Sequence, residues 1–242
     1  MKAITKFALI LSLVTIIEVH VKANFYINLE NVNTENSAGK GASIGVNKVS
    51  ELRTVCVRFM LVRTSNPHNI FFTPNAYDLV LLFMFEGQYG FLRVNGKSII
   101  FDFPDPIVPY IYQNFCFSWN EKSYSVACNG ILWYSSELQE TDIQDVIKPV
   151  NISMISFGPV EHQVFAAKYL LGRVSQLNLF SNSFSEKELT DITRSCSETS
   201  TGNKIFDWSR IGISDIDVPQ DVDIRYYYDS LIKLILKVIQ HI

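Results

Sequence analysis

From Phe25 onward the chain is a succession of short runs rich in aromatic and β-branched residues, broken by turn residues roughly every eight to twelve positions. That rhythm admits few folds. Residues 25–29 alternate in polarity, and residues 54–62 (TVCVRFMLV) and 78–85 (DLVLLFMF) are strand-like. The near-continuous apolar character of 78–85 suggests burial on both faces. Asn95-Gly96 and Asn129-Gly130 are dipeptides that favour tight hairpins: the first divides residues 89–101, and the second joins 115–119 and 124–128 to 131–134. Residues 31–45 are polar and glycine-containing and read as a loop. Short strands at this spacing predict an all-β sandwich of two antiparallel sheets, stacked about 10 Å apart.

One interior stretch is different. Residues 185–194 open with Ser185 as N-cap and place Glu188 three positions later, a capping box, while Leu189 and Ile192 form an apolar contact line. This predicts a helix of two to three turns lying on a sheet.

Residues 1–23 read as a secretory signal peptide: Lys2 and Lys6 are basic, residues 7–17 form an apolar run, and Val21 and Ala23 suit a cleavage site after Ala23. That run is well short of the about 20 residues a spanning helix needs. Removal leaves 219 residues with 18 basic and 23 acidic side chains, a net charge of −5. With 48% hydrophobic residues, 11 Gly and 8 Pro in the whole chain, disorder and collagen-like architectures are excluded, and the acidic balance argues against a nucleic-acid partner. The expected localisation is extracellular.

An oxidising compartment lets thiols persist as disulfides. Cys56, Cys116, Cys128 and Cys196 form an even set with three possible connectivities, and their gaps of 60, 12 and 68 residues match no zinc-binding spacing.

Several segments, in order, resemble the pentraxins. Residues 54–59 carry the first half-cystine, and residues 115–119 (FCFSW) follow the pattern His-x-Cys-x-Ser/Thr-Trp, with Asn114 in place of the histidine. Residues 129–133, 171–180, 183–189 and 203–208 are similar to the family's Asn-Gly hairpin, the strand before its helix, the helix start and its closing segment. The resemblance implies a concanavalin A-like jelly roll with one short helix on one face. It also implies a Cys56–Cys116 disulfide and leaves Cys128 and Cys196 as a second pair. The common core of the family lacks that pair, so free thiols or an intermolecular bridge remain open.

Pentraxins bind calcium opposite the helix through carboxylates and amides. Here Ala76 and Tyr77 fall where an Asp-Asn pair belongs, Val160, Glu161 and His162 fall over the later acidic cluster, and Phe165 and Lys168 replace two further ligands. Calcium needs six to eight oxygens, which these residues do not offer. The resemblance therefore predicts a lost metal site and no cofactor, with Asp78, Glu161 and Gln163 as a reduced calcium set if the alignment shifts, and Asn75 beside them.

The residues form no enzymatic constellation that the sequence pattern supports. The glucanases of this fold use Glu-x-Asp-x-x-Glu along one strand, which the chain lacks, and its acidic clusters at 141–145 and 215–223 read as solvated loops. His20, His68, His162 and His241 are too scattered for a metal site or a nucleophile-base pair. Asn151-Ile152-Ser153 is an N-glycosylation sequon, usable on an exposed turn.

The expected organisation is a signal peptide at 1–23, a jelly-roll domain at 24–213, and an acidic segment with an apolar C-terminal helix at 214–242. On that helix Lys233, Lys237 and His241 make a narrow polar stripe, and apolar side chains cover the rest. It is too short to span a bilayer, and its expected uses are packing on the sandwich, a subunit contact, or binding to a membrane surface or other partner. Function then divides into two expectations. The first is a secreted, non-enzymatic, calcium-independent recognition protein for a glycan, lipid headgroup or protein, with a homo-oligomer among its partners. The second is a scaffold whose C-terminal helix makes the contacts.

Overall fold

In the computed structural model the described residues are 25–29, 42–62, 68–73, 81–86, 89–94, 97–137, 149–157, 170–194, 203–211, 216–217 and 223–226. Their strands begin with β1 (Phe25–Asn28), β2 (Ala42–Leu52), β3 (Thr54–Leu61), β4 (His68–Thr73) and β5 (Leu81–Glu86). Next come β6 (Tyr89–Val94), β7 (Lys97–Asp102), β8 (Tyr112–Trp119), β9 (Ser123–Cys128) and β10 (Ile131–Glu137). After β11 (Val150–Phe157) and β12 (Gly172–Phe180) lies the helix α1 (Glu186–Arg194), then β13 (Lys204–Asp207), a 3-10 turn η1 (Trp208–Arg210), β14 (Ile216–Asp217) and β15 (Asp223–Tyr226).

The strands form two antiparallel sheets. One runs β10-β9-β8-β3-β12-β1-β15 with β13 also beside β12, and the other runs β14-β2-β11-β4-β5-β6-β7. This is the two-sheet antiparallel sandwich expected from the turn spacing, in the jelly-roll form that the resemblance implied. Both hairpins form at the expected dipeptides, with Val94 opposite Lys97 and Cys128 opposite Ile131. Two short strands from distant parts of the chain share one edge of β12: β1 pairs at Arg173 and Val174, and β13 pairs from Asn178 to Phe180.

Between the sheets lies a large apolar core that includes Ile27, Phe59, Phe115, Phe117, Trp119, Val126, Phe157 and Leu177. A smaller cluster sits on the outer side of the first sheet, where Cys56, Cys116, Ala127 and Phe180 meet Phe184, Leu189 and Ile192. It seats α1. The capping box forms as predicted: Ser185 N–H donates to Glu188 Oε2 at 2.8 Å, and Glu188 N–H donates to Ser185 Oγ at 3.3 Å. These bonds satisfy donors the first turn cannot satisfy itself. They also hold the Glu188 carboxyl below the usual range.

Two sequence expectations need correction. The loop assigned to 31–45 gives way to β2 at Ala42, because Ala42, Ile44 and Val46 alternate into the core while the intervening small residues hide the period. The sandwich also extends past 213: β14 pairs β2 and buries Ile216 in the core, and β15 pairs β1 along its whole length. The apolar segment proposed as a helix, 231–242, lies outside the described residues.

Candidate functional site: a charged cleft between the sheets

Where β13 passes β2, the two sheets leave a cleft of about 480 Å³. Gly45, Val46 and Val49 form one wall, and Lys204 to Asp207 with Arg210 and Ile211 form the other. The second wall is shaped by one short local motif. Asp207 caps η1, its carboxylate accepting from Ser209 N–H at 3.0 Å and from Ser209 Oγ–H at 2.7 Å. The next residue, Trp208, is buried and anchors the turn in the core. Ile211 N–H closes the turn onto the Trp208 carbonyl at 3.4 Å.

Asp207 is also the electrostatic centre. Lys204 Nζ lies 3.5 Å and Arg210 Nε 3.7 Å from its Oδ2. Burial acts to raise its pKa, but the hydrogen bonds from Ser209 and the charge of Lys204 outweigh it, leaving the carboxyl below its usual range. Asp207 and Lys204 are 14% and 17% exposed, whereas Arg210 is 86% exposed. Two cations on one carboxylate leave a net positive rim, and Arg210 presents a guanidinium fork to solvent. Opposite it, Gly45 leaves open space: a Cβ there would meet nothing within 4 Å.

Chemically this arrangement can bind. Among the described residues its lining holds one carboxylate, already engaged by Ser209, Lys204 and Arg210, whereas glycoside hydrolysis needs a pair in distinct roles. An apolar floor with a cationic rim suits a ligand carrying hydroxyls and a negative charge.

The residues singled out from sequence are distributed differently. Cys56 and Cys116 stand directly opposite each other on β3 and β8 and are joined by a disulfide, as the resemblance implied. Cys128 is a free thiol buried in the inter-sheet core, so it is not half of a second bond. The pleat explains this correction: Ala127 points toward α1, so Cys128 points away from the side on which the helix chain runs. Cys196 lies outside the described residues, as do Asn75, Asp78, Glu161, His162 and Gln163, the positions the resemblance set against calcium ligands. Asn151 is exposed, on strand β11 instead of a turn, and its Oδ1 accepts from Glu51 N–H at 3.4 Å. In the sequence, residues 203–208 stand out only through the resemblance, and nothing there marks the cleft. The available signal was Asp207-Trp208-Ser209, an acidic cap, a buried anchor and a hydroxyl donor in a row.

No protein-family model matches the chain, and no curated protein matches it. Solved structures do match. A native heptameric SAP-like pentraxin from Limulus polyphemus superposes with a TM-score of 0.68 at 13% identity, over 85% of this chain and 96% of that one. A Bacteroides ovatus protein described as carbohydrate-binding gives 0.57 at 10% identity, over 84% and 60%. Domains LG4-5 of the mouse laminin α1 chain give 0.50 at 8%, over 85% and 47%. The chain therefore shares the two-sheet jelly-roll fold of these structures.

Proposed function

We propose that this chain is a secreted, non-enzymatic recognition module that binds an acidic glycan, without calcium, through the cleft between β2 and β13. The observation that carries this reading is the Lys204–Asp207–Arg210 cluster set over the apolar wall of Val46 and Val49. Arg210 meets Asp207 only through Nε and is 86% exposed, so its terminal guanidinium nitrogens can pair a carboxylate or sulfate of the ligand without a metal. The fold's solved neighbours include a pentraxin and a protein described as carbohydrate-binding, which supports a binding role. The Cys56–Cys116 disulfide and the signal-peptide pattern at 1–23 support an extracellular setting, in which Asn151 would carry a glycan.

A glycan array of acidic and neutral ligands, run in calcium and again in chelator, tests the reading. Acidic ligands should bind equally in both conditions, and Arg210→Glu should weaken them at least about tenfold, the loss of one charge-assisted contact. Absence of binding in both conditions would sink the proposal. Binding that needs calcium would return attention to Asp78, Glu161 and Gln163. Sequencing of the exported protein should find Asn24 at its N-terminus.

A further inference from the structure

A second recess, of about 640 Å³, lies at one end of the first sheet. Asn120 to Ser123, the turn between β8 and β9, form one wall together with Glu137, which the hairpin register sets opposite Ser123. Ser181 to Ser183, on the connection from β12 to α1, form the other wall. Arg53 lies between them, because β3 runs between β8 and β12. Two strand spacings, about 10 Å, separate the strands that carry the walls.

Both walls are held in one geometry. In the turn, Asn120 Oδ1 accepts from Lys122 N–H at 2.8 Å and from Ser123 N–H at 2.9 Å, and Asn120 N–H donates to the Ser123 carbonyl at 2.9 Å. Asparagine is suited to this role because its amide oxygen stands in for a backbone acceptor. The other wall is fastened from beneath. Buried Thr54 Oγ1 lies 2.8 Å from buried Ser118 Oγ and donates to the Asn182 carbonyl at 2.8 Å, while Ser118 Oγ accepts from Phe184 N–H at 2.9 Å. Asn203 N–H donates to Asn182 Oδ1 at 2.9 Å. Walls fixed in this way lose little freedom when a ligand enters.

The polar groups left over are of both kinds. Among the described residues, Asn120 Nδ2, Lys122 Nζ, the Glu121 and Glu137 carboxylates and the Ser181 and Ser183 hydroxyls make no hydrogen bond or ion pair. The two carboxylates are matched by the charges of Lys122 and Arg53, so the lining is neutral overall. An anionic ligand would meet Glu121 and Glu137, and a cationic one would meet Lys122 and Arg53. An uncharged ligand whose groups both donate and accept meets neither penalty. We propose that this recess is a second binding site, for an uncharged saccharide. Glu121 and Glu137 accept from its hydroxyls, and Asn120 Nδ2 and Lys122 Nζ donate to its hydroxyl and ring oxygens. The volume falls within the range of small-ligand sites. The recess shares no lining residue with the cleft between β2 and β13, so the inference does not rest on the acidic-glycan reading.

Calorimetric titration of the full chain with maltotriose, mannotriose and chitotriose tests it. At least one of these uncharged trisaccharides should bind at millimolar concentration, in chelator as in calcium. Asn120→Asp keeps the acceptor that organises the turn and removes the unused donor, while Glu137→Gln keeps the shape and removes the charge. Each should weaken that binding at least about tenfold, the loss of one well-placed hydrogen bond. Both should melt near the wild-type temperature, since neither touches the Thr54–Ser118 pair. If Asn120→Asp melts lower, Glu137→Gln on the exposed end of β10 decides. Lys187→Ala, on the exposed side of α1, should leave binding unchanged. Binding that Asn120→Asp and Glu137→Gln leave intact would place the sugar elsewhere and overturn the proposal, and so would the absence of binding by all three trisaccharides.

Discussion

Cys128 and Cys116 stand on adjacent strands and face opposite sides of one sheet. Cys116 registers with Ala127, so the next residue turns its thiol into the core, where Cys128 Sγ lies 3.8 Å from Gln113 Oε1. Burial pushes this thiol far above the usual range, because a thiolate there would be desolvated. Iodoacetamide at about pH 8 should therefore leave Cys128 unmodified in the native protein and modify it once denaturant is added. Ready labelling of the native protein would refute the placement. Cys128→Ala should cost about 1–2 kcal/mol, within the usual range for a small core truncation.

The Cys56–Cys116 bond closes a 60-residue loop between neighbouring central strands. In the loop-entropy account, restricting that loop in the unfolded chain is worth about 4 kcal/mol. Replacing both residues by Ala should lower the urea midpoint accordingly, and it also opens space beneath Leu189 and Phe184. A change below about 1 kcal/mol would show that the staple adds little to the ladder it spans.

Asp207 has a carboxyl held below its usual range, so it contributes stability that is present above the unfolded value and is lost as pH falls through the folded one. The window therefore opens below about pH 4, the ordinary aspartate value. Wild type should lose thermal stability more steeply in that window than Asp207→Asn, which keeps the cap on η1 but not the charge. Parallel melting curves for the two proteins would mean that Lys204 and Arg210 add nothing to folding.

What could be seen in the sequence was whatever depends on neighbours along the chain. The hairpins at Asn95-Gly96 and Asn129-Gly130 and the Ser185/Glu188 box are set within four residues, and each formed as expected. β2 was hidden because its inward Ala42, Ile44 and Val46 are small or separated by serine and glycine, so the alternation carried little contrast. The cleft was hidden for a different reason. Its walls are Gly45 to Val49 and Lys204 to Ile211, brought together only by the stacking of two sheets whose strand order no local pattern encodes. Cys128 falls between these cases: its side follows from the hairpin register, but only once Cys116 is known to pair with Ala127.

Gly172 tests the register of the central ladder. A Cβ added there would lie 1.8 Å from the Met60 carbonyl oxygen and 3.0 Å from Leu61 Cα, both backbone atoms that cannot swing aside. The Gly172 carbonyl also accepts from Leu29 N–H at 2.7 Å, which ties β1 to the same point. Gly172→Ala should destabilise by about 3 kcal/mol, the upper range for overpacking. A midpoint unchanged in urea would mean that β12 and β3 sit farther apart than their pairing requires.

Gly45 offers the converse experiment, because it lines the cleft and has open space where Gly172 has backbone. A Cβ placed there meets nothing within 4 Å, so Gly45→Ala should leave stability within about 0.5 kcal/mol of wild type. Gly45→Phe, on the wall of the cleft, should weaken binding of acidic ligands while the protein still melts near the wild-type temperature. The pairing of these outcomes separates site from fold: a Gly45→Phe protein that is folded and binds as wild type does would remove the cleft from consideration. Arg210→Glu would then be expected to leave binding unchanged as well, since Arg210 acts on the ligand only through the rim of that same cleft.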